Sequence, residues 1–268
     1  MPISQRLYLR SQNVRLCCVD FGGKGSPLLL LHGLAGRANE WHQTAHWLTQ
    51  HGQVFALDQR GHGMSQKGLV DYSRDAYVND VIAVIEHLRL APVLLIGQSM
   101  GGQNAFLVAA RRPELVRALI VVEAMPGPNP SAQEAVSRWL DSWPLPFASL
   151  ADARAFFGGE TLYAQTWLEM LEEHEDGYWP LCRKDEMVRS IQDQVTHDYW
   201  SNWERIRCPT LIVGGENSFL PQHQLQEMAR HIPHGRYVQV AQASHDLHLD
   251  RPQLWQQIAE TFLETLQS

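Results

Sequence analysis

The chain has 268 residues, room for one large α/β domain or two small ones, and its 44% hydrophobic content supplies a buried core. Its formal charge of −7, with no run of lysine or arginine, argues against a nucleic-acid groove or an anionic membrane surface as partner. What remains is a small-molecule substrate, met by a monomer or a homodimer.

The first stretches, Arg6 to Arg10 and Val14 to Asp20, alternate apolar and polar residues across Ser-Gln-Asn and predict an antiparallel pair opening a sheet. The segment from Gly22 to Ser26 is the turn that follows. Continuous apolar runs at Leu28–Leu31, Val54–Leu57, Val93–Ile96, Leu119–Val122, Leu211–Val213 and Tyr237–Val240 are too short for helices and predict buried strands. Amphipathic stretches lie between them; in Tyr77–Leu90 the residues Val78, Val81, Ile82, Ile85 and Leu88 recur at helical spacing. Strand-helix alternation predicts an α/β fold, a mostly parallel sheet with helices on both faces. Ligands of such sheets bind beyond the carboxyl ends of the strands.

The composition changes at about Pro126 and changes back near Cys208-Pro209. Residues 1–125 and 208–268 therefore predict two parts of one core, with 126–207 a helical cap inserted after strand 6. This segment opens on a proline-rich turn and holds Trp139, Trp143, Trp167, Trp179, Trp200 and Trp203, six of the nine tryptophans. Cys17, Cys18, Cys182 and Cys208 show neither a CxxC spacing nor a small secreted framework, and read as reduced, mostly buried thiols. No signal-peptide pattern opens the chain, and no segment approaches the roughly 20 apolar residues of a membrane span. These features point to the cytoplasm.

The sharpest motif is Gly97-Gln98-Ser99-Met100-Gly101, entered by the apolar run Val93–Ile96 and followed by the helix-like Gln103–Arg111. A strand turning sharply into a helix strains the serine's backbone and admits only residues without Cβ beside it, so Ser99 is the candidate nucleophile. A second run ends in His32-Gly33-Leu34; the amides of Leu34 and Met100 are the candidate oxyanion hole, and His32 is mainly a loop anchor with a place at the pocket wall. Asp58-Gln59-Arg60-Gly61-His62-Gly63-Met64-Ser65 reads as a tight turn built by glycines and a capping serine. After the last strand, Ser244-His245-Asp246 supplies a histidine where a base for Ser99 is needed. His248 makes an H-x-x-H pair with His245, but no carboxylate or cysteine cluster of metal-ligand spacing accompanies it, so no metal is expected.

Together, His32-Gly33, Asp58 to Ser65, Gly97 to Gly102 and Ser244 to Asp246 resemble the α/β-hydrolase superfamily over nearly the whole chain except the cap. The chain is similar to its single-domain bacterial esterase, lactonase and carbon–carbon hydrolase branch. The resemblance implies an eight-stranded core, a Ser-acid-His chain order, no cofactor, and carbonyl chemistry rather than the carboxylate-nucleophile chemistry of haloalkane dehalogenases and epoxide hydrolases. The expected activity is a serine-dependent hydrolase acting on a small apolar or aromatic ester, lactone or related carbonyl substrate. Two other readings come with it: cofactor-free base catalysis, with Ser99 merely orienting substrate, and a small-molecule receptor with weak hydrolase activity.

In most of that superfamily the triad acid is the third residue after a glycine ending the seventh strand, and here that place holds Ser218. Glu123, directly after Leu119–Val122, and Glu216, two residues before Ser218, compete for the role. Glu123 is preferred, because a carboxylate at the end of a buried strand is costly to bury without a partner. His32, Trp139, Trp143, Trp167 and Trp179 are the candidate substrate-pocket residues.

Overall fold

A computed structural model describes residues 4–266. In chain order the core opens with strands β1 (Gln5–Ser11), β2 (Val14–Gly22) and β3 (Pro27–Leu31), helix α1 (His42–Leu48), β4 (Gln53–Asp58), α2 (Arg74–His87), β5 (Val93–Gln98), α3 (Met100–Arg111) and β6 (Val116–Val122). The inserted segment holds α4 (Ala132–Asp141), α5 (Leu150–Phe156), α6 (Leu162–Leu168), β7 (Leu171–His174), β8 (Gly177–Pro180), α7 (Lys184–Ser190), α8 (Gln192–Thr196) and α9 (Trp200–Trp203). The core then closes with β9 (Thr210–Gly215), α10 (Gln222–Arg230), β10 (Gly235–Val240), α11 (Leu247–Asp250) and α12 (Pro252–Thr265).

Eight strands form one sheet in the order β1-β2-β4-β3-β5-β6-β9-β10. Only β2 runs against the others. The continuous apolar runs arise because both faces are covered, so alternate residues bury to opposite sides. Leu29, Leu31 and Leu95 pack with α2, α3 and α10, whereas Leu28, Leu30, Leu94 and Ile96 pack with α1 and α12. Of these runs only the one in β10, at the sheet edge, departs from the expected full burial: Tyr237 and Val238 are partly exposed and Gln239 is exposed. Among the described residues no helix is long and apolar enough to cross a membrane.

The inserted segment differs from a purely helical cap in two ways. It contains the antiparallel hairpin β7–β8, tied by a bridge from Tyr178 to Phe147. Its sequence signal is Asp176-Gly177, where Gly177 has φ +131° and a Cβ would lie 2.5 Å from the Phe147 carbonyl oxygen. In addition, the cap's own packing ends before residue 207. Trp203 and Ile206 belong to the core cluster, where Trp203 packs edge-on against Phe106 and donates its indole N–H to the Met228 carbonyl. The cap proper is held by its aromatic centre and by polar ties to the core. Tyr72 and the Gly68 amide donate to the buried Glu186 carboxylate at 2.5 and 2.7 Å, and Arg74 donates to the Ser190 carbonyl at 2.8 Å.

Candidate active site

Strand register brings the chemistry together. Gln98 on β5 pairs with Val122 on β6, and Val122 pairs with Val213 on β9. The residues at these adjacent strand ends are therefore neighbours: Ser99 just past β5, Glu123 just past β6, and Gly214-Gly215 closing β9. Two backbone bonds extend the ladder one step past the strands, from Ser99 N–H to the Val122 carbonyl and from Glu123 N–H to the Val213 carbonyl, both 2.9 Å.

Ser99 sits at φ 52°, ψ −118°, a conformation sparsely populated by residues with a side chain. Its neighbours explain why it survives. A Cβ on Gly97 would lie 2.3 Å from the Gly101 carbonyl oxygen, and one on Gly101 would lie 2.2 Å from that of Leu31. The sharp turn thus needs both glycines, and α3 begins at once with Met100. As a first-turn amide, the Met100 N–H lacks an intrahelical acceptor. Leu34 and Met100 both line the cavity that contains Ser99.

Glu123 has φ 53° and is almost fully buried. Its Oε1 accepts the Gly215 N–H at 2.6 Å, its Oε2 accepts the Ser218 hydroxyl, and Oε2 lies 3.0 Å from His245 Nδ1. A carboxylate at a buried strand end is satisfied here by three donors, which removes the burial penalty that an unpaired one would carry. Glu216 lies elsewhere: its Oε2 accepts the Gln242 N–H at 2.8 Å on the exposed side of the loop, so it braces the chain after β10 and does not meet His245.

His245 is carried by that same loop, and Gln98 fixes the loop over Ser99. The Gln98 amide donates to the His245 carbonyl at 3.1 Å and to Asp246 Oδ1 at 3.2 Å. Burial opposes charge on the imidazole, but the bond to Glu123 and the fields of Asp246, Glu123 and Glu40 outweigh it and raise its pKa above 6.5. Burial raises the Asp246 carboxyl as well, tempered by the two neighbouring histidines. The Phe219 ring lies 4.5 Å from that of His245 while remaining 71% exposed, which places it at the mouth.

Ser99, His245 and Glu123 share a cavity of about 700 Å³ between the strand ends and the cap. Trp139 and Trp167 line it, together with Leu34, Met125, Val136 and Leu220. Three of the expected pocket residues do not. Trp143 is buried behind this wall, with ring centroids 5.2 Å from Trp139 and 5.4 Å from Trp167, so it supports the two lining rings. Trp179 stands on the β8 hairpin and donates to Asp176 at 2.9 Å. His32 is fully buried; its Nε2 accepts the Gln59 N–H at 3.0 Å, so Nδ1 carries the proton and donates to the Gly33 carbonyl at 2.7 Å. Burial lowers its pKa and keeps it a neutral anchor for the loop that carries Leu34.

The turn after β4 is structural. Asp58 accepts the Ala38 and Met64 amides at 2.6 and 2.8 Å, and Ser65 donates to the Asp58 carbonyl. Arg60 pairs with the buried Asp80 at 2.7 and 2.8 Å, and neither Arg60 nor His62 reaches the cavity. His248 is buried against Trp41 and faces Glu40 at 3.1 Å. Among the described residues no group of three or more histidine, cysteine, aspartate or glutamate side chains could hold a metal ion.

Sequence reasoning passed over Gln98, Phe219 and the cavity-facing Asp246 and Glu40. The first and third had a signal, since each directly adjoins a motif residue. Glu40, by contrast, follows no strand and carries no pattern.

Comparison with known proteins matches the alpha/beta hydrolase fold family over residues 26–252. The chain is 28% identical to (E)-2-((N-methylformamido)methylene)succinate hydrolase of Acinetobacter baylyi, over 91% of this chain and 92% of that one. It is 27% identical to N-formylmaleamate deformylase of Pseudomonas putida, over 88% and 87%. Among solved structures, that of E-2-(acetamidomethylene)succinate hydrolase superposes with a TM-score of 0.88 at 22% identity, covering 98% of this chain and all of that one. The family match over most of its length, on an eight-stranded sheet with this strand order, means that the chain belongs to the alpha/beta hydrolase fold family and is a hydrolase.

Proposed function

We propose that this hydrolase cleaves a small apolar or aromatic ester, lactone or related carbonyl substrate through an acyl-enzyme on Ser99. His245 Nε2 takes the Ser99 proton as Oγ bonds to the carbonyl carbon, and the carbonyl oxygen becomes an oxyanion held by the Leu34 and Met100 amides. Collapse of that intermediate breaks the bond to the leaving group, which departs with the proton from Nε2. Water then gives a proton to Nε2 and its oxygen attacks the acyl carbon; the second collapse releases the acid and returns the proton to Ser99. Throughout, Glu123 accepts the Nδ1–H hydrogen bond, orients the ring and stabilises the imidazolium without taking its proton.

The observation that carries this reading is the 3.0 Å contact between Glu123 and His245 Nδ1, which leaves Nε2 as the ring's working nitrogen in the cavity that Ser99 lines. The Trp139 and Trp167 walls support an apolar or aromatic substrate. The relatives' names, succinate hydrolases and a deformylase, support acyl transfer to water. The free cysteines fit a reducing compartment, the cytoplasm. The test is Ser99→Ala against a neutral 4-nitrophenyl ester: kcat falls by more than about ten-thousandfold if Ser99 is the nucleophile. A loss below about tenfold would instead make Ser99 an orienting residue for base-only chemistry.

A further inference from the structure

We infer that the Ser99 cavity selects against acyl groups bearing a carboxylate and that Asp246 is the residue enforcing this choice; the inference rests on Ser99 being the nucleophile. Neutral apolar acyl groups are then the substrate class, in contrast to the succinates for which some of the relatives are named.

The charge lining the cavity is one-sided. Its titratable wall groups are Glu40, Glu123, Tyr163, His245 and Asp246, and among the described residues no lysine or arginine lines it. Two arginines outside the lining are engaged elsewhere. Arg37 pairs with Glu169 at 3.3 Å, and Arg74 is buried with its guanidinium donating to Asn104 and to the Ser190 carbonyl, both at 2.8 Å. The remaining polar groups on the cap side, Asn129, Ser131 and Gln194, are neutral.

The three carboxylates differ in how they are occupied. Glu123 is engaged by His245, Gly215 and Ser218, and Glu40 faces His248 at 3.1 Å. Asp246 has no lysine or arginine partner among the described residues: Oδ1 accepts one amide hydrogen from Gln98 at 3.2 Å, and the histidines whose fields reach it, His245 and His248, already face Glu123 and Glu40. The field of Asp246 reaches the reacting end of the cavity, since it helps raise the pKa of His245, and it raises that of Tyr163 second only to burial. A substrate carboxylate entering here loses its water, finds no lysine or arginine and only a His245 already paired with Glu123, and meets a like charge. Protonation of Asp246 would relieve the repulsion yet still leave the substrate anion unpaired.

A matched substrate pair tests this: the 4-nitrophenyl monoester of adipic acid, anionic at neutral pH, and the same compound capped as its methyl ester. Wild-type enzyme is expected to favour the capped compound at least a hundredfold in kcat/KM, and Asp246→Asn to narrow that ratio at least tenfold. A wild-type ratio within threefold overturns the inference, and it is decisive even if the variant does not fold. An unchanged ratio in folded Asp246→Asn removes Asp246 as the cause. If neither compound is turned over and a fluorophosphonate fails to label Ser99, it is the nucleophile assignment that has failed.

Discussion

Ser218 donates its hydroxyl hydrogen bond to Glu123, across the gap between two adjacent strand ends. Ser218 stands where the resemblance to the wider superfamily leads one to expect an acid, and the acid it contacts comes from β6 instead. In the proposed triad the carboxylate thus stands one strand along the sheet from that place, and the residue occupying the place donates to it. This relation predicts unequal consequences for the two competing glutamates. Glu123→Gln lowers kcat about ten-thousandfold, as losing a triad acid does. Glu216→Gln stays within about threefold, because its partner is an exposed backbone amide. Steady-state kinetics on one neutral ester separates the two.

Removing only the bond from Ser218 has an intermediate effect. One hydrogen bond to a charged group is worth about 1.5–3 kcal/mol, so Ser218→Ala lowers kcat/KM by roughly ten- to hundredfold if the bond tightens the Glu123–His245 pair in the transition state. A fall in thermal stability with unaltered kinetics would show that the bond serves only the loop.

The pH dependence follows from the carboxylates around His245. Only the neutral imidazole accepts the Ser99 proton, so kcat/KM is low at acid pH and rises through a midpoint above 6.5, the ordinary histidine value. Asp246→Asn removes one of the fields that raise it and moves the midpoint down. Glu123 and Glu40 remain in that variant and hold the midpoint partly raised. The linked stability runs the other way. The folded pKa exceeds the unfolded one, so the contribution of charged His245 is fully present below the unfolded value and is lost as pH rises through the folded value. Titration of the His245 ring by NMR reads the same shift independently of turnover.

The strand and elbow patterns were legible because local physics dictates them. Leu28–Leu31 and Val93–Ile96 are continuous apolar runs because helices cover both faces, and Gly97 and Gly101 flank Ser99 because no Cβ fits there. His245 was legible as a histidine just after the last strand. The choice of Glu123 depended on more than its own run: the pairing of Val122 with Val213 and the bend of the 216–218 loop decide which glutamate meets the ring, and neither is a local property. The tryptophans were harder still. Trp139, Trp143 and Trp167 share one aromatic cluster, and which ring faces the cavity depends on how α4 and α6 pack.

That packing yields a prediction for the pocket. Trp139→Ala opens the wall and raises KM for an aromatic ester about tenfold, within the roughly 1–3 kcal/mol that a lost apolar contact in a pocket provides. Trp179→Ala leaves KM within about twofold, since its ring lies on the hairpin away from the cavity. Equal effects of the two would contradict the assignment of the wall.

Arg60 separates structure from chemistry. Its pair with Asp80 is almost fully buried, so Arg60→Ala strands a carboxylate and destabilises the fold by about 3–5 kcal/mol in urea titration. The folded fraction keeps its kcat, because Arg60 is outside the cavity.

In the proposed mechanism Ser99 attacks as a nucleophile activated by His245. Treating the protein with a fluorophosphonate and mapping the adduct by mass spectrometry tests it directly. One phosphonate is expected on Ser99 in the peptide spanning Gly97 to Gly102, with labelling slowed by orders of magnitude in His245→Ala. An unlabelled Ser99 in folded protein, or labelling equally fast without the histidine, would contradict it.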